Sequence, residues 1–272
     1  MKQVAALLLL VVISKADAAF ERTVQGSRSA AMGGACVAVG NNEWAAFTNP
    51  AALRTIGARS LALFYAPQIF EIQELSNAAA SYIEPTSFGT FALSASRFGL
   101  DLYNEARAAL SYGDAIAEGV SFGVTLNYYS LSIQNYGSAG TFGVDVGALV
   151  DVADNVQWGF VAFNLNAAKI GAEKEKLPQV FSTGVAYSPF GEATLAVGIR
   201  KDLRFPIELH VGVEYEFIKM IALRAGTASE PSMMNAGVGI RYGFFRLDYA
   251  FSSHTELGIT HQFSLALNLG DF

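Results

Sequence analysis

From about residue 58 to the C-terminus, apolar and polar residues alternate in short segments with a period of two. In 206–217, Ile207, Leu209, Val211, Val213, Tyr215 and Phe217 share one parity, while Glu208, His210, Gly212, Glu214 and Glu216 share the other. Successive side chains of a strand point to opposite faces, so such a segment is a strand with one apolar and one polar face. Segment 244–252 repeats the pattern, with Phe245, Leu247, Tyr249 and Phe251 set against Arg246, Asp248, Ala250 and Ser252. Fourteen segments are predicted in this way, near 58–65, 77–84, 87–97, 104–112, 119–131, 140–151, 155–165, 178–188, 191–201, 206–217, 219–227, 234–242, 244–252 and 259–269.

A soluble antiparallel sheet has the same period, so alternation alone does not say what lies outside it. Most segments are about nine to eleven residues long, the length that crosses a bilayer when a strand is tilted by about 45°. Aromatic residues fall near segment ends, at Tyr65, Tyr82, Tyr112, Tyr187, Tyr215, Tyr242 and Phe251, where membrane barrels carry interfacial girdles. The chain closes on Phe272 after a last apolar strand, as an outer-membrane assembly signal does. An even strand count suits a bacterial barrel. The expected fold is all-β: a transmembrane antiparallel β-barrel of about fourteen strands over residues 58–272, rather than a soluble sandwich.

The polar parity carries glycine at 123, 143, 147, 159, 184, 198, 212, 226, 237 and 239. Glycine inside a strand marks close approach by another backbone, although it also relieves curvature in a twisted wall. The same parity carries Arg200, Arg224, Arg241 and Arg246 with Asp145, Glu208, Glu214, Glu216 and Asp248. Mixed charges in a narrow space are expected to pair with one another or to tie down an enclosed segment. That segment is sought in residues 19–57, where 26–53 reads GSRSAAMGGACVAVGNNEWAAFTNPAAL and shows neither alternation nor a helical period. It is expected to be a plug, with Met32, Gly33 and Gly34 in its first half. Trp44 and Phe47 would seal it against the wall or line a hydrophobic ligand site. Asn49 can cap, and Pro50 can start, a short helix.

Composition agrees with this reading. Hydrophobic residues make up 52% of the 272 and charged residues 15%; the mean hydropathy is +0.32. After the first fourteen residues no apolar run approaches the ~20 that a membrane helix needs. Residues 1–18 read as a signal peptide: Lys2, an apolar core from Val4 to Ile13, and the cleavage site Ala16-Asp17-Ala18, which makes Ala19 the first mature residue. Export implies the bacterial outer membrane, with its lipids and barrel-assembly machinery as partners. Cys36, the only cysteine, forbids an internal disulfide and lies too far downstream to be a lipoprotein acceptor. Losing Lys2, Lys15 and Asp17 takes 18 basic and 24 acidic residues to 16 and 23, and the net charge from −6 to −7. There is no basic run, which argues against nucleic acid as a partner.

Motifs suggestive of chemistry lack the context they need. Gly119-Val120-Ser121-Phe122-Gly123 resembles a nucleophile elbow, but Ser121 lies inside an alternating strand rather than at a strand-to-helix turn. Gly237-Val238-Gly239 with Gly243 is a broken dinucleotide fingerprint. His210, His254 and His261 occur singly, without metal-ligand spacing. His210 is expected to hydrogen-bond inside the lumen beside Glu208 and Glu214, and His261 to lie on the outer face. No catalytic residue, metal or cofactor is expected. The charged cluster from Lys169 to Lys176 is read as a solvated loop.

Three places carry a resemblance to a known family. They are Gly26-Ser27-Arg28-Ser29-Ala30-Ala31-Met32-Gly33-Gly34-Ala35 with Asn49-Pro50-Ala51-Ala52-Leu53; Leu177-Pro178 leading into Phe181 to Tyr187; and Arg246-Leu247-Asp248-Tyr249-Ala250-Phe251 with Leu257-Gly258 and Thr260-His261-Gln262-Phe263-Ser264-Leu265. In these the chain resembles the PorV/PorQ-like bacterial outer-membrane barrels, relatives of the FadL long-chain fatty-acid transporter family. The resemblance implies an N-terminal segment folded into the lumen. In FadL-type relatives this is a hatch, and hydrophobic ligands leave sideways through a gap in the wall. PorV-type relatives serve type IX protein secretion instead. The two expectations are passage of small hydrophobic molecules and, alternatively, a non-transporting scaffold or shuttle for secretion components.

Overall fold

A computed structural model describes residues 19–21 and 23–270; the expected signal peptide, residues 1–18, and Phe272 lie outside the described residues. Fourteen long strands form the wall: β1 (Ser60–Ala66), β2 (Asn77–Thr86), β3 (Gly89–Gly99), β4 (Tyr103–Ala117), β5 (Val120–Ile133), β6 (Gly137–Ala153), β7 (Val156–Phe163), β10 (Val180–Phe190), β11 (Ala193–Asp202), β12 (Ile207–Ile218), β13 (Ile221–Ser229), β14 (Ser232–Tyr242), β15 (Phe245–His254) and β16 (Gly258–Asn268). The short β8 (Lys169–Ile170) and β9 (Glu175–Lys176) make a separate hairpin. Each long strand pairs antiparallel with its neighbours, and β1 pairs with β16 from Ser60↔Asn268 to Tyr65↔Phe263, closing the barrel. Closure leaves no free sheet edge, the condition for strands to cross lipid.

The period-two pattern sets which side of the wall each residue faces. On β12, Ile207, Leu209, Val211, Val213, Tyr215 and Phe217 point outward, while His210 and Glu214 are buried inside. Leu93, Leu110, Leu126, Leu195, Val197, Leu223 and Leu247 extend the exposed apolar surface around the barrel. This belt is far larger than the apolar patches of soluble proteins and suits a lipid surround. Turns at one rim are short. Glu118-Gly119 joins β4 to β5, and Gly243-Phe244 joins β14 to β15, with φ of 69° at Gly119 and 58° at Gly243.

Most wall strands have nine to eleven residues, as expected, although β1 has 7 and β4, β5 and β6 have 15, 14 and 17. The three long strands stand beyond the belt at the rim where connections are longer. One expectation needs correction: Lys169 to Lys176 is not merely a solvated loop. It forms β8–β9, and Ile170, Ala168 and Leu177 are buried against Tyr129 of β5. Leu165 and Asn166 also continue the pairing with β6 where β7 stops. The β6–β7 register ends at Val146↔Ala162, and beyond it Leu165 donates to the Val144 carbonyl at 2.7 Å while the Asn166 side chain bonds Val144 N and Phe142 O. Lys169, Glu173, Lys174 and Lys176 are exposed, which is why the segment reads as a loop.

Candidate functional site

The lumen holds the N-terminal segment. α1 (Ser27–Ala31) packs against β13–β16, and α2 (Ala45–Thr48) leads into a 3-10 turn, Pro50–Thr55, that lies on β3–β6. Both helices are short, so packing and side-chain anchors rather than helix propensity must hold them.

The first anchor is a belt of glycines. Gly113, Gly123 and Gly147 pair in one row across β4, β5 and β6; Gly159, Gly184 and Gly198 do so across β7, β10 and β11; Gly212 pairs with Gly226 across β12 and β13. A Cβ at Gly113 would come within 2.5 Å of the Pro50 carbonyl oxygen, and one at Gly212 within 2.5 Å of the Met32 carbonyl oxygen. The positions of Gly123, Gly147, Gly159 and Gly226 are likewise filled by Pro50–Ala51, Asn49, Val37 and Met32–Gly33. The plug backbone therefore lies against the wall backbone. Gly143 and Gly239 have other uses: Gly143 accommodates the Tyr129 ring, and Gly239 the Arg224–Asp248 pair.

The second anchor is a chain of alternating charge that begins and ends in the plug. Arg28 of α1 donates through Nε and Nη2 to the two carboxylate oxygens of Glu214 at 2.9 and 2.6 Å. Glu214 also accepts from Arg224, whose Nη1 donates to Asp248 at 2.7 Å. Asp248 accepts from Arg246 Nε at 3.0 Å, and Arg246 pairs in turn with Glu43 of the plug. Each buried charge has an opposite partner, which offsets the cost of removing it from water. Burial alone would lower the Arg28 pKa, but the adjacent Glu214 carboxylate more than reverses this, so the guanidinium stays charged. Gly33 supplies a further tie: its carbonyl lies 2.6 Å from His210 Nδ1, and His210 Nε2 lies 3.1 Å from Glu208, which also pairs with Arg200 at 3.4 Å.

Asn49 is the third anchor. Its Oδ1 accepts from Ala51 N at 3.1 Å, capping the 3-10 turn that Pro50 starts, and its Nδ2 donates to the carbonyls of Val37 and Ala148 at 2.8 and 2.9 Å. One side chain thus caps a turn, links two parts of the plug and ties them to β6.

Trp44 and Phe47 separate into different roles. Trp44 is 1% exposed, sits over Gly26 (φ 89°), and meets Phe47 and Phe64 of β1 at 5.9 Å, in one apolar core with Leu53 and Ile83. Phe47 belongs to the same core and also lines the two small cavities left beside the plug, of about 60 and 40 Å³, which share Thr23, Gln25 and Phe163 as further lining. The larger is bounded further by Phe20, Glu105 and Arg107, and the smaller by Arg200 and His210. Arg107 stacks 4.9 Å from the Phe47 ring centroid, donates to Asn127 Oδ1 at 2.6 Å and pairs with Asp145 at 3.4 Å. An apolar cavity of about 150 Å³ accepts benzene; these two, at about 60 and 40 Å³, are smaller.

Most of the sequence-chosen positions converge on this plug–wall contact. Arg241 is the exception: with Glu216 it forms a rim pair at 3.4 Å and is half exposed, because both lie at the ends of their strands. Sequence reasoning did not single out Arg28, Glu43 or Arg107 as site residues. Arg107 was within reach, since it shares its strand's inner parity with Glu105 and Ser111. Glu43 carried no such signal, because the plug has no period. At β2–β3–β4 the wall shows no sideways gap: the ladder runs unbroken through Ala80↔Ala95 and Ala95↔Ala108.

No family model matches the chain, and neither does any curated protein sequence. Solved structures do. The P. putida toluene transporter TodX superposes with a TM-score of 0.71 at 13% identity, over 91% of this chain and 99% of that one. The two chains share one fold. The CymD monoaromatic hydrocarbon channel gives 0.66 at 13% identity over 91% and 98%, and a Pseudomonas aeruginosa FadL homologue gives 0.63 at 15% over 89% and 97%. At such identities the likeness speaks for the fold, and the residues of the lumen must speak for the rest.

Proposed function

We propose that this protein sits in the bacterial outer membrane and passes small hydrophobic molecules across it, with the 19–57 segment as a hatch that moves to let them through. The observation that carries this reading is the position of Phe47. Its ring belongs to the Trp44 core and also lines both lumen cavities, so a shift of this side chain would alter the core and the cavities together. The other plug contacts seal by backbone-to-glycine packing and by ion pairs. Barrels of the same fold are described as toluene and monoaromatic hydrocarbon channels, which favours compact apolar molecules as cargo. No observation favours the secretion-scaffold alternative.

The test is uptake by cells lacking the gene, assayed with a panel of monoaromatic hydrocarbons and fatty acids, and by the same cells complemented with wild type. Uptake of at least one compound should fall on deletion and return on complementation. Unchanged uptake across the panel would overturn the reading.

A further inference from the structure

The start of the described chain lies inside the barrel rather than trailing from it. Ala19 is 5% exposed, and its backbone N is 3.4 Å from a carboxylate oxygen of Glu175 on β9. The next residue, Phe20, donates its backbone N–H to Glu105 of β4 at 2.8 Å, and its ring meets Tyr129 edge-on at 5.0 Å, beside Ile170 and Leu177. Glu105 is itself more than nine-tenths buried, with Tyr103 Oη as its other donor at 2.5 Å. Among the described residues no basic side chain forms an ion pair with Glu105 or Glu175. Two carboxylates thus face two consecutive backbone nitrogens. Burying a carboxylate such as Glu105 without a counter-charge is costly, while Glu175 is only partly buried.

The sequence puts a cleavage site at this point, after Ala16-Asp17-Ala18. Hydrolysis by a signal peptidase adds one water across the Ala18–Ala19 amide, leaving a carboxylate on Ala18 and an ammonium on Ala19. We propose that this new α-ammonium supplies a counter-charge to these carboxylates: it docks between Glu175 and Glu105 beneath the β8–β9 hairpin and pins the head of the plug in the lumen. Processing therefore completes the seal. An uncleaved chain presents only a neutral amide here. The β8–β9 hairpin holds one half of the clamp through Glu175, so the head of the plug and the hairpin are fixed together. This inference does not depend on what the barrel transports.

The test is the reactivity of the α-amine in the folded, mature protein, purified in detergent. An amine-reactive ester is applied near neutral pH, and labelling of the Ala19–Arg22 tryptic peptide is followed by mass spectrometry, which separates it from lysine labelling. The mature chain should begin at Ala19, and its α-amine should label about tenfold or more slowly than the same sequence in a free peptide. Glu175→Gln, confined to the hairpin, should bring the rate most of the way to the peptide value. Glu105→Gln should do so too, with the heat-modifiable gel band reporting an intact barrel in each variant. A mature chain starting elsewhere, wild-type labelling at the peptide rate, or a folded Glu175→Gln protein as protected as wild type would overturn the proposal.

Discussion

Arg28 and Glu214, 186 positions apart in sequence, meet through two hydrogen bonds of 2.6 and 2.9 Å in the interior of the barrel. Glu214 is shared with Arg224, so Glu214→Gln leaves two buried guanidinium groups facing a neutral amide. Breaking a buried pair from one side costs about 3–5 kcal/mol. The plug should loosen more than the wall, because the wall keeps its ladder. Cys36 reports this directly: it is buried in the plug, and burial pushes its thiol pKa above the ordinary value. In wild type, alkylation should be slow even near the ordinary thiol pKa of about 8.5. In Glu214→Gln the released thiol regains its ordinary titration, so the rate should rise steeply with pH through that range. Equal rates in the two proteins would mean that the pair does not hold the plug.

The glycine belt makes a prediction with its own control. At Gly226 a side chain would meet the backbone of Met32 and Gly33, whereas at Gly191, in the β10–β11 turn, nothing lies within 4 Å. Overpacking a tight contact costs about 1–3 kcal/mol. Gly226→Ala should lower the temperature at which the folded gel band is lost, and should speed Cys36 labelling, while Gly191→Ala leaves both unchanged. If glycine served only the curvature of the wall, Gly226→Ala would change the melting temperature without touching Cys36.

The wall was legible because its physics is periodic. Leu209 faces out and His210 faces in for a reason that can be counted along the chain, and the fourteen segments follow from it. The inward glycines were legible for the same reason, as gaps on the polar parity. Pairings made by the plug were not. Arg28 finds Glu214, and Glu43 finds Arg246, through a fold-back with no repeat, so nothing local states the partner. The β8–β9 hairpin was hidden differently: Lys169, Lys174 and Lys176 give it the composition of a loop, while the two residues that bury it, Ile170 and Leu177, are too few to make a pattern. Strand ends were misjudged in β4 to β6, where pairing outlasts the apolar belt.

Asn49 combines a cap with two donations, and the two functions can be separated. Asn49→Ala removes the cap, worth about 1 kcal/mol, and leaves the Val37 and Ala148 carbonyls without their donor, at about 1–3 kcal/mol for a group left unsatisfied. Asn49→Asp keeps the capping oxygen but turns a second oxygen toward those two carbonyls. If capping were the main role, Asp would be harmless. The geometry predicts the reverse: Asp should destabilise at least as much as Ala in the thermal gel assay, with faster Cys36 labelling in both.

Trp44 and Phe47 are neighbours 5.9 Å apart whose replacement should have opposite signatures. Trp44→Ala empties the centre of the core shared with Phe64, Leu53 and Ile83, and large-to-small changes of this kind cost about 3–5 kcal/mol. Its main effect should be on the melting temperature of the barrel. Phe47→Ala removes a ring that lines both cavities, of about 60 and 40 Å³, and on which Arg107 rests. Arg107 keeps Asn127 and Asp145, so the stability loss should be the smaller of the two. Cells carrying Phe47→Ala should take up the compounds that depend on the protein faster than wild type, and the purified variant should show a higher basal ion conductance in planar bilayers. A Phe47→Ala protein that is destabilised like Trp44→Ala, with wild-type uptake and conductance, would make Phe47 a packing residue and move the gate elsewhere in the plug.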